Sequence, residues 1–372
     1  MEPKRILYVN GGIMSRGGIE SYMMNYYRNL DRTKIQIDFI VHGFEKGVYD
    51  DEIISLGGKL YNIPVKSKDY IGNIKALRKI FLSGKYNIVH SHMDAMSMIV
   101  LKEAKRCGIP IRIAHSHNTQ HLTNNNIKFL LNEYARKNIR KYANYLFACS
   151  EEAGRWLFGN ESVNSGEVKI INNAIEIDKF KFDKNKRNEI RKELNIENNF
   201  VIGHVGRFDY QKNHMFLLKI FKETLNYINN AKLILVGDGH LKEEILNRIE
   251  ELNIQTNVIV LGARNDVNDL NNAFDIFILP SLFEGFPVVA VEAQANGLQC
   301  LFSDSITKEV KLSKCTYFMS NEEAIDKWAN KINYIKNTTK RLENANKIVE
   351  EKYCIKVKAK ELEELYLELL KS

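Results

Sequence analysis

Two glutamates eight positions apart, Glu284 and Glu292, span a predicted junction between a strand and a helix. The apolar run at residues 273–279 predicts a buried strand in front of them. Pro287 suits the first turn of the following helix, because its missing N–H would have no partner there. In an open α/β sheet, ligands bind outside the carboxyl ends of the strands. We therefore expect both carboxylates to face one cleft, where a loop carboxylate can accept hydrogen bonds from hydroxyl groups and free amides at a helix start can bind anionic oxygen.

The segment around these glutamates, residues 280–293, resembles the Glu-x7-Glu signature of the retaining glycosyltransferases of family four. The Pro-Ser-x-x-Glu-Gly-x-Pro frame and the following Val-Glu-Ala carry the resemblance, because two acids at this spacing alone would fit any strand–loop–helix. By the resemblance, Glu284 contacts hydroxyls of the donor sugar and Glu292 holds the ribose hydroxyls of the nucleotide. It also implies donor contacts from the four residues after Glu284, namely Gly285, Phe286, Pro287 and Val288.

A pair of cations, Arg207 and Lys212, follows the predicted strand at residues 201–205. The segment 206–213, with four residues between its arginine and its lysine, resembles the family's pair of a Gly-Arg and a following lysine at the same place. Two fixed cations beside a diphosphate neutralise the charge that develops as the glycosidic bond breaks. Arginine offers a planar fork to oxygen pairs, and lysine acts as a movable point charge. In isolation the pair would be two solvated surface cations, but its position after the first strand of the second half favours a catalytic role.

Four histidines form two His-Ser-His pairs, which comprise His90, His92, His115 and His117. Alternate residues of a strand point to one face, so each pair could chelate a metal ion. No Asp-x-Asp motif accompanies the pairs, and we predict neither a metal nor any other cofactor. The family resemblance instead implies that His117 contacts the donor sugar. The other three histidines are interpreted as structural residues with local hydrogen bonds at strand ends.

Glycines bracket the loop between the first strand and the first helix, at residues 11–12 and at Gly17 and Gly18. Glycine lets backbone amides approach a ligand, and the helix start adds a favourable dipole. The spacing is not Gly-x-Gly-x-x-Gly, so a nicotinamide cofactor is not expected. A plain flexible turn is the alternative, whereas the resemblance favours contact with the donor diphosphate or the acceptor. By the same resemblance, Gly262 and Arg264 lie beside the nucleotide base.

Two series of strands alternating with helices divide the chain of 372 residues. This α/β pattern predicts parallel sheets in two Rossmann-like domains. Residues 172–191 are interpreted as the connection, which separates an acceptor-side domain at 1–173 from a nucleotide-sugar-binding domain at 174–354. The resemblance implies the GT-B fold, in which the domains face each other across a cleft and a terminal helix at 355–372 crosses back to the first domain. The predicted strands are 6–10, 36–41, 88–90, 111–114, 145–149, 200–205, 232–236, 258–261, 276–279 and 300–302.

The net charge of +8 fits an anionic partner, such as a diphosphate or an acidic membrane surface. No nucleic-acid-binding motif accompanies the charge, so nucleic acid is not expected. The sequence shows no apolar run long enough to span a membrane and no signal peptide, and its five cysteines are scattered. A cytoplasmic protein is therefore predicted. The basic amphipathic helix at 127–142 is interpreted as an ordinary packed helix, with peripheral membrane contact at the inner face as the second interpretation.

The resemblance implies retaining transfer of a sugar from a nucleotide-sugar, expected to be a UDP-sugar, to a glycan or polyprenyl-diphosphate-linked acceptor. Short patterns at 116–119, 213–214 and 303–305 resemble bacterial exopolysaccharide and capsule transferases. Three alternatives remain at this point. They are a GT-B nucleotide-sugar epimerase, a non-catalytic donor-binding subunit of another transferase, and a metal hydrolase that uses the His-Ser-His pairs.

Overall fold

The computed structural model describes residues 2–121, 123, 125–338 and 340–371. The chain divides into two compact units. Unit 1 comprises residues 1–174 with 355–372, and unit 2 comprises residues 175–354.

The sheet of unit 1 is entirely parallel, with the strand order β3-β2-β1-β4-β5-β6-β7. Its strands are β1 Lys4–Val9, β2 Ile35–His42, β3 Leu60–Ile63, β4 Ile88–Ser91, β5 Ile111–Ser116, β6 Tyr145–Ala148 and β7 Val168–Ile170. Its helices are α1 Gly18–Asn29, α2 Asp50–Ser55, α3 Tyr70–Phe81, α4 Ser97–Arg106, α5 Asn126–Asn138, α6 Glu151–Phe158 and α7 Asn160–Asn164.

The sheet of unit 2 is also parallel, with the order β10-β9-β8-β11-β12-β13. Its strands are β8 Phe200–Val205, β9 Ala231–Val236, β10 Val258–Gly262, β11 Ile276–Leu279, β12 Gln299–Ser303 and β13 Thr316–Met319. Its helices are α8 Lys184–Glu193, α9 His214–Thr224, α10 Lys242–Glu251, α11 Val267–Ala273, α12 Val288–Ala295, α13 Ile325–Thr338 and α14 Ala345–Tyr353. The final helix, α15 Ile355–Leu369, belongs to unit 1.

The terminal helix α15 is held to unit 1 by polar contacts as well as by its apolar face. The hydroxyl of Tyr366 lies 2.8 Å from that of Tyr8 on β1, and Glu363 accepts a hydrogen bond from the amide of Asp31 at 2.9 Å. Burial of Ile355 and Leu362 in the same core adds the hydrophobic contribution. The predicted return of the terminal helix to the first domain is thus confirmed.

Two predictions about local structure are wrong. The segment 172–191 is not a plain connection, because residues 184–193 form α8, which packs on α11 in unit 2. Arg187 and Arg191 of α8 both pair with Asp275, so charges that suggested a solvated linker bind this helix to the start of β11. The edge strands β3, β7 and β13 were also not predicted, because each has only one buried residue and lacks a continuous buried run.

Helix α5 exposes basic side chains, as expected of an ordinary packed helix, but it also exposes apolar side chains that such a helix would bury. Four large apolar side chains in a stripe are 60–70% exposed, namely Ile127, Leu130, Leu131 and Tyr134. The guanidinium of Arg136 instead points into unit 1, where it bonds to Glu133 and to the backbone oxygen of Trp156. No helix in the described part of the chain is both long and apolar enough to cross a membrane.

Candidate functional site

An ion pair joins two of the predicted site residues at the carboxyl end of the unit 2 sheet. Lys212 lies in a short 3-10 turn after β8, and Glu284 lies in the loop after β11, the strand next to β8. The Nζ atom of Lys212 is 2.6 Å from Oε1 of Glu284, and the two side chains are 14% and 8% exposed. Gln211 donates a second hydrogen bond to Glu284, at 3.2 Å. Because adjacent parallel strands end at one edge, the fold brings this cation and this carboxylate together.

The loop that carries Glu284 is pinned on both sides. The amide of Leu282 donates to the backbone oxygen of Gln211 at 2.9 Å, and Glu284 forms an isolated parallel bridge with Ile306. Asn213, in the left-handed conformation with φ 57°, donates from its side chain to the oxygen of Pro280 at 3.2 Å. These contacts fix the direction of the Glu284 carboxylate before any ligand binds.

Glu292 lies on α12 and behaves differently from Glu284. Its side chain is half-buried, and its carboxylate makes no hydrogen bond or ion pair within the described residues. Burial raises the pKa of Glu292 to about 7. A ligand that donates hydroxyl hydrogen bonds would stabilise the charged form and would return the pKa toward its ordinary value.

The start of α12 places the other predicted donor contacts. Pro287 precedes the first helical residue, Val288, so it stands one position earlier than the first turn in which it was predicted. The amides of a first helical turn have no intrahelical acceptor and can bind an anionic oxygen. Phe286 is buried and stacks on Tyr353 with ring centroids 5.2 Å apart, which holds the backbone of Gly285 and Phe286 in place.

Arg207 is the exposed member of the cationic pair. Its Nε donates to Asp209 at 2.5 Å, while the side chain is 57% exposed. Gly206 precedes it, and a Cβ at that position would lie 3.0 Å from Cδ and Cε of Lys212. A glycine there lets the lysine stem run along the backbone toward Glu284. This requirement was not recognised from the sequence, although the Gly-Arg spacing carried it.

Gly262 and Arg264 lie further along the same sheet edge, on the β10 side. Gly262 ends β10 with φ +69°, and its oxygen accepts a hydrogen bond from the amide of Gly237 at 2.8 Å. Arg264 forms two hydrogen bonds with Asp266, at 2.8 and 2.6 Å. The structure thus places both residues at the carboxyl edge, two strands away from β8.

In unit 1 the four histidines form one buried layer rather than separate strand-end contacts. Stacked rings at 4.1 Å (His90 with His92) and 4.2 Å (His115 with His117) lie on one face of β4 and β5 and on the residues just after them. His90 Nε2 lies 3.0 Å from His115 Nδ1, and His92 Nδ1 lies 2.9 Å from His117 Nε2. Burial lowers the pKa of His117 to about 3, so its ring is uncharged at neutral pH.

Asp94 positions His117, and sequence reasoning did not find it. Its carboxylate accepts a hydrogen bond from the amide of His117 at 2.6 Å and from the side chain of Asn118 at 2.7 Å. Asp94 adopts φ 45°, a conformation that favours asparagine and aspartate among residues with a side chain. Its place two residues after His92 was the available sequence signal.

Three members of the histidine layer form a candidate group of metal ligands, part of which is engaged in hydrogen bonds. Nitrogen atoms of His90, His92 and His115 lie within 4.8 Å of one another. Both nitrogens of His90 are engaged, by Tyr366 and by His115, which leaves His92 Nε2 and His115 Nε2 without a partner among the described residues. A catalytic zinc ion takes three protein ligands, so at these three histidines it would have to displace at least one of the hydrogen bonds of His90.

Gly17 and Gly18 stand at the start of α1, beside a carboxylate. Gly17 caps the helix without a side chain, and a Cβ there would lie 2.2 Å from Oε2 of Glu20. The other oxygen of Glu20 accepts a hydrogen bond from Asn10 at 3.0 Å. A carboxylate at this helix start accepts hydroxyl donors and repels phosphate, which favours an acceptor sugar over a diphosphate at these glycines.

Known proteins resemble this chain over both units. Residues 16–179 match the model described as Glycosyltransferase Family 4, and residues 186–352 match the model described as Glycosyl transferases group 1. The chain is 38% identical over 337 residues to the putative glycosyltransferase EpsF of Bacillus subtilis, covering 88% of this chain and 87% of that one. It is 28% identical over 235 residues to an Escherichia coli enzyme named UDP-Gal:alpha-D-GlcNAc-diphosphoundecaprenol alpha-1,3-galactosyltransferase, covering 62% and 60%.

The crystal structure of Anabaena HepE in complex with UDP and glucose shares the fold, with a TM-score of 0.81 and 19% identity. The superposition covers 98% of this chain and 99% of that one. Two matched family models, a relative that is 38% identical over most of both chains and two parallel Rossmann-like sheets agree with the residue pattern at 280–293. This chain is therefore a glycosyltransferase of family four with the GT-B fold, of the type found in bacterial exopolysaccharide and capsule biosynthesis.

Proposed function

We propose that this glycosyltransferase moves a sugar from a UDP-sugar to a polyprenyl-diphosphate-linked glycan, with retention of configuration and without a metal ion. The observation that carries the proposal is the Lys212–Glu284 ion pair, with Glu292 on the helix that follows its loop. A nucleotide-sugar needs cations for its diphosphate and carboxylates for its hydroxyls. The carboxyl edge of unit 2 carries both kinds of group.

Each part of the donor molecule would be bound by the residues whose charge complements it. Lys212 has three N–H donors and uses one toward Glu284, so the others remain for a diphosphate oxygen. Arg207 has terminal nitrogens that Asp209 does not engage. Glu284 would accept hydroxyls of the transferred sugar, and Glu292 would accept the ribose hydroxyls. Gly262 and Arg264 would lie beside the base, and His117 of unit 1 would contact the sugar as a neutral ring.

The proposed reaction breaks the bond between the anomeric carbon and the diphosphate oxygen on the face where the acceptor hydroxyl attacks. The leaving phosphate oxygen takes the proton of that hydroxyl, so the products are the retained glycoside and UDP. Arg207 and Lys212 would stabilise the negative charge on UDP, the task that a divalent ion performs in metal-dependent enzymes. Product NMR tests the stereochemistry, and formation of the inverted anomer contradicts the proposal.

The metal requirement is tested separately. Activity toward a panel of nucleotide-sugars, first measured as slow hydrolysis, should survive an excess of EDTA. Loss of activity that manganese or zinc restores would contradict metal independence. It would also make the histidine layer the candidate metal site. The result also tests the donor, since UDP-sugars should be consumed in preference to GDP- and ADP-sugars.

The acceptor class and the exposed face of α5 support a peripheral membrane contact. Ile127, Leu130, Leu131 and Tyr134 follow the spacing of one helical stripe, and the exposed Lys137 continues it. Exposed basic residues flank the stripe, namely Lys128, Arg140 and Lys141. An apolar stripe bordered by lysines fits the surface of an anionic bilayer, into which the apolar side chains dip while the ammonium groups meet the headgroups.

Vesicle sedimentation tests this contact. The chain should bind phosphatidylglycerol vesicles more than phosphatidylcholine vesicles, and the double variant Leu130→Ser/Leu131→Ser should lose most of that binding. Leu82→Ser is the matched control, because Leu82 is 68% exposed at the end of α3, outside α5. Equal loss in the control, or a change in oligomeric state of the double variant without a change in vesicle binding, would contradict a membrane partner.

A further inference from the structure

Lys66 is a half-buried lysine with no counter-ion among the described residues. It follows β3 at the carboxyl edge of the unit 1 sheet. Its ammonium forms no hydrogen bond or ion pair within the described part of the chain, and burial lowers the pKa of Lys66 to about 8. An ammonium group that loses water without gaining an anion destabilises the protein. Cations in this condition are found preferentially at ligand sites.

Three loops converge on the place where Lys66 lies. Gly43, with φ +127°, ends the β2 segment, and a Cβ there would lie 3.2 Å from Cγ2 of Ile13 and 3.9 Å from Cγ2 of Val65. The glycine-rich loop after β1 therefore packs beside the turn that carries Lys66. Burial and the positive charge of Lys66 both lower the pKa of the neighbouring His42. The ammonium thus lies at the same edge as the candidate acceptor loop.

The acidic residue nearest to Lys66 in the sequence makes a hydrogen bond to another group. Asp69 caps the start of α3, where its side chain accepts a hydrogen bond from the amide of Gly72 at 2.8 Å. The turn itself is fixed by two hydrogen bonds to the oxygen of Val65, from the amides of Lys68 and Asp69, both at 2.9 Å. The backbone therefore holds Lys66 in place independently of any side-chain partner.

We propose that Lys66 binds the diphosphate of the acceptor substrate. The inference rests on the proposed function, in which the acceptor carries its glycan on a polyprenyl diphosphate. Neutral sugar hydroxyls would be served by carboxylates such as Glu20, whereas a buried cation fits an oxyanion. The diphosphate of the donor is assigned to Arg207 and Lys212 in unit 2, so the cation at the edge of unit 1 is available for a second one.

Acceptor kinetics test the assignment. A panel of synthetic alkyl diphosphate-linked monosaccharides is compared with the matching alkyl glycosides without phosphate, all at saturating donor. Lys66→Met should raise KM for the diphosphate acceptors by at least about tenfold and leave KM for the neutral glycosides unchanged, while Lys66→Arg should be intermediate. Lys68→Met is the matched control, because Lys68 is exposed in the same turn. Equal effects of Lys66→Met on both acceptor classes would overturn the proposal.

The oxyanion that Lys66 binds could also belong to an acidic sugar. One further acceptor distinguishes an acidic sugar from a diphosphate. If Lys66→Met impairs only acceptors with a glucuronate and no phosphate, the diphosphate assignment is wrong.

A binding measurement avoids catalysis altogether. With UDP at saturation to fill the donor site, inorganic pyrophosphate should bind the wild-type chain and Lys68→Met in calorimetry, but not Lys66→Met. Absence of pyrophosphate binding to the wild type overturns the inference, whereas absence of transfer from any donor contradicts the proposed function instead.

Discussion

The Nζ atom of Lys212 lies 2.6 Å from Oε1 of Glu284, although the two residues stand 72 positions apart in the chain. The ion pair gives Lys212 a structural role in addition to its proposed role in binding the donor. A lysine that only touched substrate could be removed without a change in folding. Here its removal leaves a nearly buried carboxylate with Gln211 as a remaining side-chain donor.

Lys212→Met should therefore lose both activity and stability. We expect turnover to fall by about 100-fold or more, because one cation that stabilises the transition state is lost. The free energy of unfolding should fall by about 1–3 kcal/mol, because a buried carboxylate keeps its desolvation penalty without its partner. Steady-state kinetics and urea unfolding measure the two effects, and Lys219→Met, an exposed position on α9, is the control.

The double variant Lys212→Met/Glu284→Gln separates the two roles. It removes the charge as well as the partner, so stability should recover relative to Lys212→Met while turnover stays low. Recovery of turnover together with stability would mean that the pair serves folding alone.

Glu292 should give UDP binding a pH dependence. In the proposed ribose-binding role a charged carboxylate is the better hydrogen-bond acceptor, so UDP affinity should decline as pH falls below about 7, near the pKa of Glu292. Glu292→Gln should bind UDP more weakly at pH 8 and should lack this part of the decline. Calorimetry from pH 5.5 to 8 measures the UDP affinity of wild type and variant. The pH dependence that remains in the variant gives the contribution from titration of the nucleotide phosphate, which is subtracted from that of the wild type. The ribose assignment fails if wild type and variant bind UDP equally at pH 8.

The same carboxyl group links Glu292 to stability with a definite sign. Its pKa is higher in the folded than in the unfolded chain, so the folded state holds the proton more tightly. Its destabilising effect is absent below pH 4, grows as pH rises toward 7 and is then constant. Glu292→Gln should accordingly be more stable than wild type at pH 8 and similar to it at pH 4.5.

The histidine layer should make unit 1 sensitive to acid. Burial, reinforced by neighbouring imidazoles, holds the pKa values of His90, His92 and His115 well below the ordinary range. The unfolded chain binds protons near pH 6.5 that the folded chain refuses, so stability falls as pH drops below that value. Each such histidine contributes about 1.4 kcal/mol per pH unit there.

Hydrogen exchange of the β4 and β5 amides measures this effect in unit 1. Protection should decline steeply between pH 6.5 and 5 after correction for intrinsic exchange, and His115→Gln should make the decline shallower. An identical decline in the variant would show that the layer does not control acid stability.

Gly203 on β8 should be intolerant of any side chain. A Cβ there would lie 2.1 Å from Cδ2 of Phe274, inside the ring's van der Waals surface. Gly203→Ala should lower the free energy of unfolding by about 1–3 kcal/mol because the core is overpacked. Adding Phe274→Leu should restore part of the loss, although the single change Phe274→Leu is itself destabilising. Additive effects of the two changes, measured by urea unfolding, would contradict direct contact.

The sequence by itself determined the fold class and indicated the residues that are proposed for the donor site. Alternating apolar strands and amphipathic helices can only pack as parallel sheets with covered faces, because each apolar face must be buried. The residues around Glu284 could be interpreted from the sequence because the strand, the tight loop and the helix start all lie within one short segment. The motif in that segment then identifies the family. The edge strands β3, β7 and β13 were not predicted, since each has a single buried residue and lacks the continuous buried run of the central strands.

Only the tertiary structure decided which side chains meet. Lys212 pairs with Glu284 because β8 and β11 are neighbours in the sheet, and strand order is not written in any local pattern. The apolar stripe of α5 faces outward, whereas its basic residue Arg136 bonds to Glu133 and to the backbone oxygen of Trp156 in unit 1. Periodicity reveals that a helix has two faces, but the partners available in space determine which face is buried.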